Sequence, residues 1–177
     1  MYLDTGWFWG IIADGFEHGS SAFGAAARSS GSLCRRRRGA HRRVPVLDTD
    51  AQEAADAVGT SVGQIVKSLV FLGGGVPILA LVSGANRLDP SRLGALTGLE
   101  IGKADADAVR RATGYSIGGV PPTGFPAPIP TFVDRDLLQY DVVWAAAGTP
   151  RHVFPIAPQD LVRITGGRVV QLATDQG

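Results

Sequence analysis

From residue 49 onward the apolar positions change period several times, and each change marks an element. Ala51, Ala54, Ala55 and Val58 recur at helical spacing behind Asp48, Thr49 or Asp50, any of which can cap a first turn containing Glu53, and Gly59 stands where a helix ends. The run Ile65 to Leu72 is apolar and β-branched, Gly73, Gly74 and Gly75 supply a turn, and Val76 to Val82 reads as the returning strand of a hairpin. Asp89 and Pro90 form a cap and first-turn pair that predicts a short helix to Leu96 or Thr97. A brief strand is expected near Ile101, and Asp105 or Asp107 opens a helix through Ala108, Val109 and Ala112 that Gly114 closes. Thr131 to Val133 reads as a strand, Asp134 to Tyr140 as a turn with a helical piece, and Val142 to Ala147 as a strand stopping at Gly148. Thr149 to Pro155 reads as irregular, Pro158 to Ile164 as a last helix and Arg168 to Leu172 as a last strand. Short strands and short helices interleave without a βαβ period, so the expected class is α+β.

Two places break these patterns. Lys67 sits inside Ile-Val-Lys-Ser-Leu-Val-Phe, where strand alternation gives it a face with Ile65, Leu69 and Phe71. A lysine there either snorkels to the rim of the core or is a partly enclosed ammonium kept for a function. Lys67 and Lys103 are the only lysines of the chain, with Arg supplying every other cation, and this favours a need for a compact point charge at 67. The second break is Thr113 to Gly124, which holds four glycines and a Pro-Pro pair in twelve residues and carries no charge. Such a segment is either a long connection or a loop whose own N–H groups meet a ligand.

Composition narrows the class. A chain of 177 residues with 45% hydrophobic and 19% charged residues suits one globular domain. The net charge of +1 conceals an asymmetry: residues 1–45 carry seven Arg against Asp4, Asp14 and Glu17, a net of +4, and the remainder carries ten basic against thirteen acidic residues, a net of −3. Residues 1–45 form an atypical Arg-, Gly- and Ser-rich arm whose composition fits disordered chain, an RNA-contacting arm, or sequence foreign to the native coding frame. The charge-free runs Ser68 to Asn86 and Ala112 to Val133 are interrupted by Gly73, Gly74, Gly75 and Pro77 and by five prolines, so neither reads as a membrane span. No secretory signal is recognisable, and a cytoplasmic location is expected. Cys34 is the single cysteine and has no evident base, and His18, His41 and His152 lack ligand-like spacing, so neither a catalytic thiol, a metal nor a cofactor is expected.

Gln64 to Phe71, Lys103-Ala104-Asp105, Thr113-Gly114-Tyr115, Gly118-Gly119-Val120-Pro121-Pro122-Thr123-Gly124, Asp134 and Ala147-Gly148 together resemble the YbaK/EbsC-type aminoacyl-tRNA deacylases. That group includes the free-standing ProX proteins and the editing insertion of bacterial prolyl-tRNA synthetases. The resemblance covers about residues 49–173 within an expected domain of residues 46–177. It implies a single domain with a mixed, largely antiparallel curved sheet and short helices packed around it. It also implies an ester hydrolase that removes a wrong amino acid from tRNA, with mischarged aminoacyl-tRNA, and in some settings a synthetase, as partner. Lys67 and Gly118 are carried over as catalytic residues, the lysine anchoring the terminal phosphate or ribose and the glycine backbone positioning water and the carbonyl. Ser68, Gly119, Val120, Pro122, Gly124, Gly148 and His152 are carried over as substrate-binding residues. Backbone donors of a glycine loop can stabilise an ester oxyanion without a side-chain nucleophile, which agrees with the reading of the loop from its residues. Thr123 stands where many members have an aromatic residue, and Ser68 where threonine is frequent. The contrasting expectation is a noncatalytic RNA- or protein-binding module on the same fold, with the N-terminal arginines as its contact.

Overall fold

The computed structural model describes residues 42–43 and 51–174. The expected properties of the arm therefore lie outside the described residues, apart from a two-residue strand, β1 (Arg42–Arg43), which the sequence pattern did not predict. Among the described residues the first helix is α1 (Ala51–Val58), followed by a 3-10 turn at Val62–Gln64 and the hairpin of β2 (Val66–Gly73) and β3 (Val76–Ser83). Then come α2 (Pro90–Thr97), β4 (Ile101–Lys103), α3 (Ala106–Thr113) and β5 (Thr131–Asp134). A second 3-10 turn at Arg135–Gln139 leads to β6 (Val143–Ala146), β7 (His152–Ile156), α4 (Pro158–Thr165) and β8 (Arg168–Val170).

The cap chemistry read from the sequence operates as expected. The Asp89 carboxylate accepts from the Ser91 N–H at the start of α2, and the Asp105 carboxylate accepts from the Ala108 N–H at the start of α3. Gly98 and Gly114 then end these helices in the left-handed conformation, at φ 69° and 81°.

Five strands form a mixed sheet in the order β4-β2-β3-β5-β8, and three form an antiparallel sheet in the order β1-β7-β6. In the larger sheet β2 is antiparallel to β3 and β4, whereas β3, β5 and β8 run parallel. The two sheets meet where Ile65, just before β2, bridges in parallel to Trp144 on β6. The architecture is α+β with short helices around the strands. One expectation fails: Thr149 to Pro155 is not wholly irregular, because His152–Ile156 pairs antiparallel with β6, Pro155 lying opposite Trp144. Prolines at 150 and 155 mask the alternation locally, but Pro is tolerated in a strand where its missing N–H is not required by the ladder.

Alternation along β2 and β3 divides the core between the two faces of the larger sheet. Val66, Leu79, Leu81 and Val133 pack with Val109 of α3, Leu137, Leu161 of α4 and Val143 and Ala145 of β6. Phe71, Ile78, Ala80, Val82 and Phe132 pack on the other face with Leu88, Leu93 of α2 and Leu172. Because both faces are covered, β3 is buried along most of its length, which explains its unbroken apolar sequence. Leu81 is fully buried, and Leu81→Ala is expected to lower the unfolding free energy by about 2–5 kcal/mol. Chemical denaturation measures this, and an unchanged midpoint would contradict the assigned core. Among the described residues no helix is long and apolar enough to cross a membrane.

Candidate functional site

The Thr113 to Gly124 segment leaves α3 through its C-cap and crosses the face of the sheet that carries Val66 and Leu81. The Thr113 hydroxyl donates to the Val109 carbonyl and accepts from the Tyr115 N–H, so the exit from the helix is fixed before the glycines begin. Val120 is buried in the core and Pro121 and Pro122 are also buried, while Gly118 and Gly124 are exposed. The side chain of Val120 thus anchors the loop, with Gly118 and Gly124 exposed and Gly119 buried beside it. Gly118 adopts φ 83°, a region open to few residues with a side chain. The Gly119 N–H donates to the Ser116 carbonyl at 3.0 Å and closes a turn. No acceptor for the Gly118 N–H is found among the described residues, so this donor is left for a ligand or water.

The connection between β6 and β7 supports the loop from outside. A Cβ on Gly119 would stand 2.9 Å from both the carbonyl carbon and the Cα of Thr149 and 3.0 Å from Pro150 Cδ, so the two backbones are in direct contact. A Cβ on Gly148 would lie 3.1 Å from the Tyr115 ring. His152, half-buried at the start of β7, holds its Nδ1 2.6 Å from the Thr149 hydroxyl, whose oxygen also accepts from the Arg151 N–H at 3.4 Å. Gly118, Gly119, Gly148 and His152 are therefore brought together through Tyr115 and Thr149, neither of which was among the expected site residues. Thr149 carries no motif signal. It reads as an ordinary turn residue until its neighbours are known.

Ser68 and Lys67 are adjacent on β2 and point to opposite faces. Ser68 lies on the face of Val66 and Val70, the same face the glycine segment covers, and its Oγ is buried with no hydrogen-bond partner. A buried hydroxyl left unpaired costs about 1–3 kcal/mol, so this oxygen is suited to an incoming polar group.

Lys67 is half-buried, and its ammonium donates to the Gly84 carbonyl at 3.1 Å and to the Asn86 carbonyl. Gly84 is held closely: its N–H donates to the Ile65 carbonyl at 2.7 Å, and a Cβ there would come within 2.3 Å of the Val62 carbonyl oxygen. The Asn86 carboxamide donates to Asp134 at 2.9 Å and to Asp136 at 2.7 Å. Asp134 is fully buried and also accepts from the Leu172 N–H at 3.4 Å. Burial pushes the Lys67 ammonium below its ordinary value of 10.5, and the Asp134 carboxylate opposes that shift. An ammonium has three donors, and the two carbonyls take up two of them. None of the hydrogen bonds described here joins this lysine network to the glycine segment.

The aminoacyl-tRNA editing domain family matches residues 48–164. A candidate Cys-tRNA(Pro)/Cys-tRNA(Cys) deacylase, EbsC of Enterococcus faecalis (strain ATCC 700802 / V583), is 27% identical over 128 residues, 71% of this chain and 78% of that protein. The crystal structure of a candidate trans-editing enzyme for prolyl-tRNA synthetase is 46% identical, with a TM-score of 0.74 over 84% of this chain and 96% of the other. A hypothetical protein of solved structure is 31% identical, with a TM-score of 0.67 over 75% of this chain and 91% of the other.

Proposed function

Since the chain belongs to the aminoacyl-tRNA editing domain family, we propose that it hydrolyses the ester linking a wrong amino acid to the terminal adenosine of tRNA, acting in trans. Two separate observations support this reading: a Gly118 N–H with no acceptor among the described residues, and a half-buried ammonium at Lys67 with one donor beyond its two carbonyls. Ester hydrolysis develops negative charge on the carbonyl oxygen, and a fixed backbone N–H placed in a loop is suited to meet it. Lys67 is assigned to a phosphate or ribose oxygen of the terminal nucleotide, and Gly118 to the ester carbonyl and the attacking water. Ser68, Gly148 and His152 line the amino-acid side, with the Ser68 hydroxyl as a hydrogen-bonding group there. The names of the relatives point to cysteine on a proline tRNA as the first substrate to try, and alanine and serine are the other small candidates.

The test is turnover with substrate in excess. Purified protein at one-hundredth the concentration of Cys-, Ala- or Ser-tRNA(Pro) is expected to release many equivalents of at least one of these amino acids. Binding without release of any of them would contradict the proposal and favour a noncatalytic RNA-binding module.

A further inference from the structure

The lysine network contains a residue that the proposed chemistry does not itself use. Asn86 stands in the segment that follows β3. Its backbone carbonyl receives the Lys67 ammonium, and its carboxamide nitrogen spans two carboxylates, Asp134 at 2.9 Å and Asp136 at 2.7 Å. The two acids differ in setting: Asp134 is fully buried at the end of β5, while Asp136 is partly exposed in the following 3-10 turn, with Arg135 Nε 3.9 Å from its outer oxygen. An amide held by two acceptors has little rotational freedom, and charge-assisted hydrogen bonds are among the stronger neutral-pH contacts. The side chain therefore fixes the position of its own main chain. That main chain, with the Gly84 carbonyl at 3.1 Å, determines where the lysine ends.

We propose that Asn86 is the positioning residue of Lys67: clamped between Asp134 and Asp136, it holds the two-carbonyl cradle that aims the ammonium at the anionic oxygen of the substrate. The assignment of a substrate oxygen rests on the deacylase reading above, but the clamp itself does not. Asn86 touches no substrate in this account. An aspartate in its place would bring a third carboxylate against two others, and an alanine would leave the turn untied.

Lys67 and Lys103 are the only side-chain amines, and Lys103 is exposed on β4, so acylation of each is separable by mass spectrometry with Lys103 as the internal reference. The full chain is labelled with acetic anhydride across a pH series, without tRNA. In Asn86→Ala the ammonium gains water, and the midpoint of Lys67 labelling is expected to move up toward 10.5 while that of Lys103 stays in place. With mischarged tRNA, the same variant is expected to raise KM by about tenfold and leave kcat within about twofold, as befits lost uniform binding. Asp136→Ala, at the partly exposed end of the clamp, should change both readouts in the same direction by less, and serves if Asn86→Ala does not fold. A Lys67 midpoint that is unmoved in both variants overturns the positioning role, whatever the deacylation result. A shifted midpoint in a protein that deacylates nothing upholds the clamp and overturns the proposed function instead.

Discussion

Lys67→Ala is expected to reduce kcat/KM for deacylation by about 100-fold or more, with the circular-dichroism spectrum and a cooperative unfolding transition retained. A hydrogen bond to a charged group contributes about 1.5–3 kcal/mol, and the upper end of that range corresponds to roughly this factor. The ammonium is a charged donor held by two carbonyl acceptors, those of Gly84 and Asn86, which can be hydrated once the side chain is cut back. Lys67→Arg should recover little activity, because a planar guanidinium does not fit a cradle that holds a compact three-donor head. The pH dependence has a definite sign. Because burial lowers the pKa of Lys67 below 10.5, the cation is lost on raising pH sooner than from an ordinary lysine, and tRNA affinity should fall over that window. The folded state binds fewer protons than the unfolded chain between the lowered value and 10.5, so the associated destabilisation is relieved as pH rises through the same interval. Activity equal to wild type in Lys67→Ala would remove the lysine from the site.

The second large effect is expected at Gly119. An added methyl would lie 2.9 Å from two backbone atoms of Thr149, and neither backbone can rotate away as a flexible side chain could. Gly119→Ala must therefore push the glycine segment off the β6–β7 connection. Overpacking of this kind costs about 1–3 kcal/mol, and a displacement of the segment also moves Gly118 and disturbs the Thr149 contact with His152. The expected outcome is a loss of about 10- to 100-fold in kcat/KM, since small misplacements of positioned groups are costly to rate. Thermal unfolding and single-turnover kinetics on the same sample check the two parts. Wild-type stability and rate together would show that Gly119 is not the contact point.

How much of this was legible beforehand varies with the physical cause. The hairpin of β2 and β3 and the helices α2 and α3 follow from local signals, namely apolar runs, aspartate caps and terminal glycines, each of which acts within a few residues. β7 was not legible, because its strand character comes from pairing with β6 and its sequence is punctuated by prolines. β1 is too short to carry a pattern, and its pairing with β7 is a long-range event. At the site, Lys67 and the glycine segment announced themselves by violating their surroundings. Asn86 did not, since Gly-Ala-Asn after a strand reads as any turn, and its role depends on Asp134 and Asp136, about fifty residues further along the chain. The one available signal was the lysine itself, because a half-buried ammonium requires acceptors. Tyr115 and Thr149 were hidden for the same reason: they matter through Gly148 and Gly119, which are distant in sequence.

The Lys67 network and the glycine segment, which no described hydrogen bond connects, are expected to serve one substrate. A hydrolysis-resistant analogue, terminal adenosine 5′-phosphate carrying an amide-linked alanine or cysteine, tests this most directly. Its titration is followed by the amide NMR shifts of Gly118 and Gly119 and, in parallel, by protection of Lys67 from acylation with Lys103 as reference. Both are expected to respond at the same analogue concentration, and Lys67→Ala is expected to weaken the glycine response. A glycine response that is unchanged in Lys67→Ala, or a response at only one of the two places, would contradict this expectation.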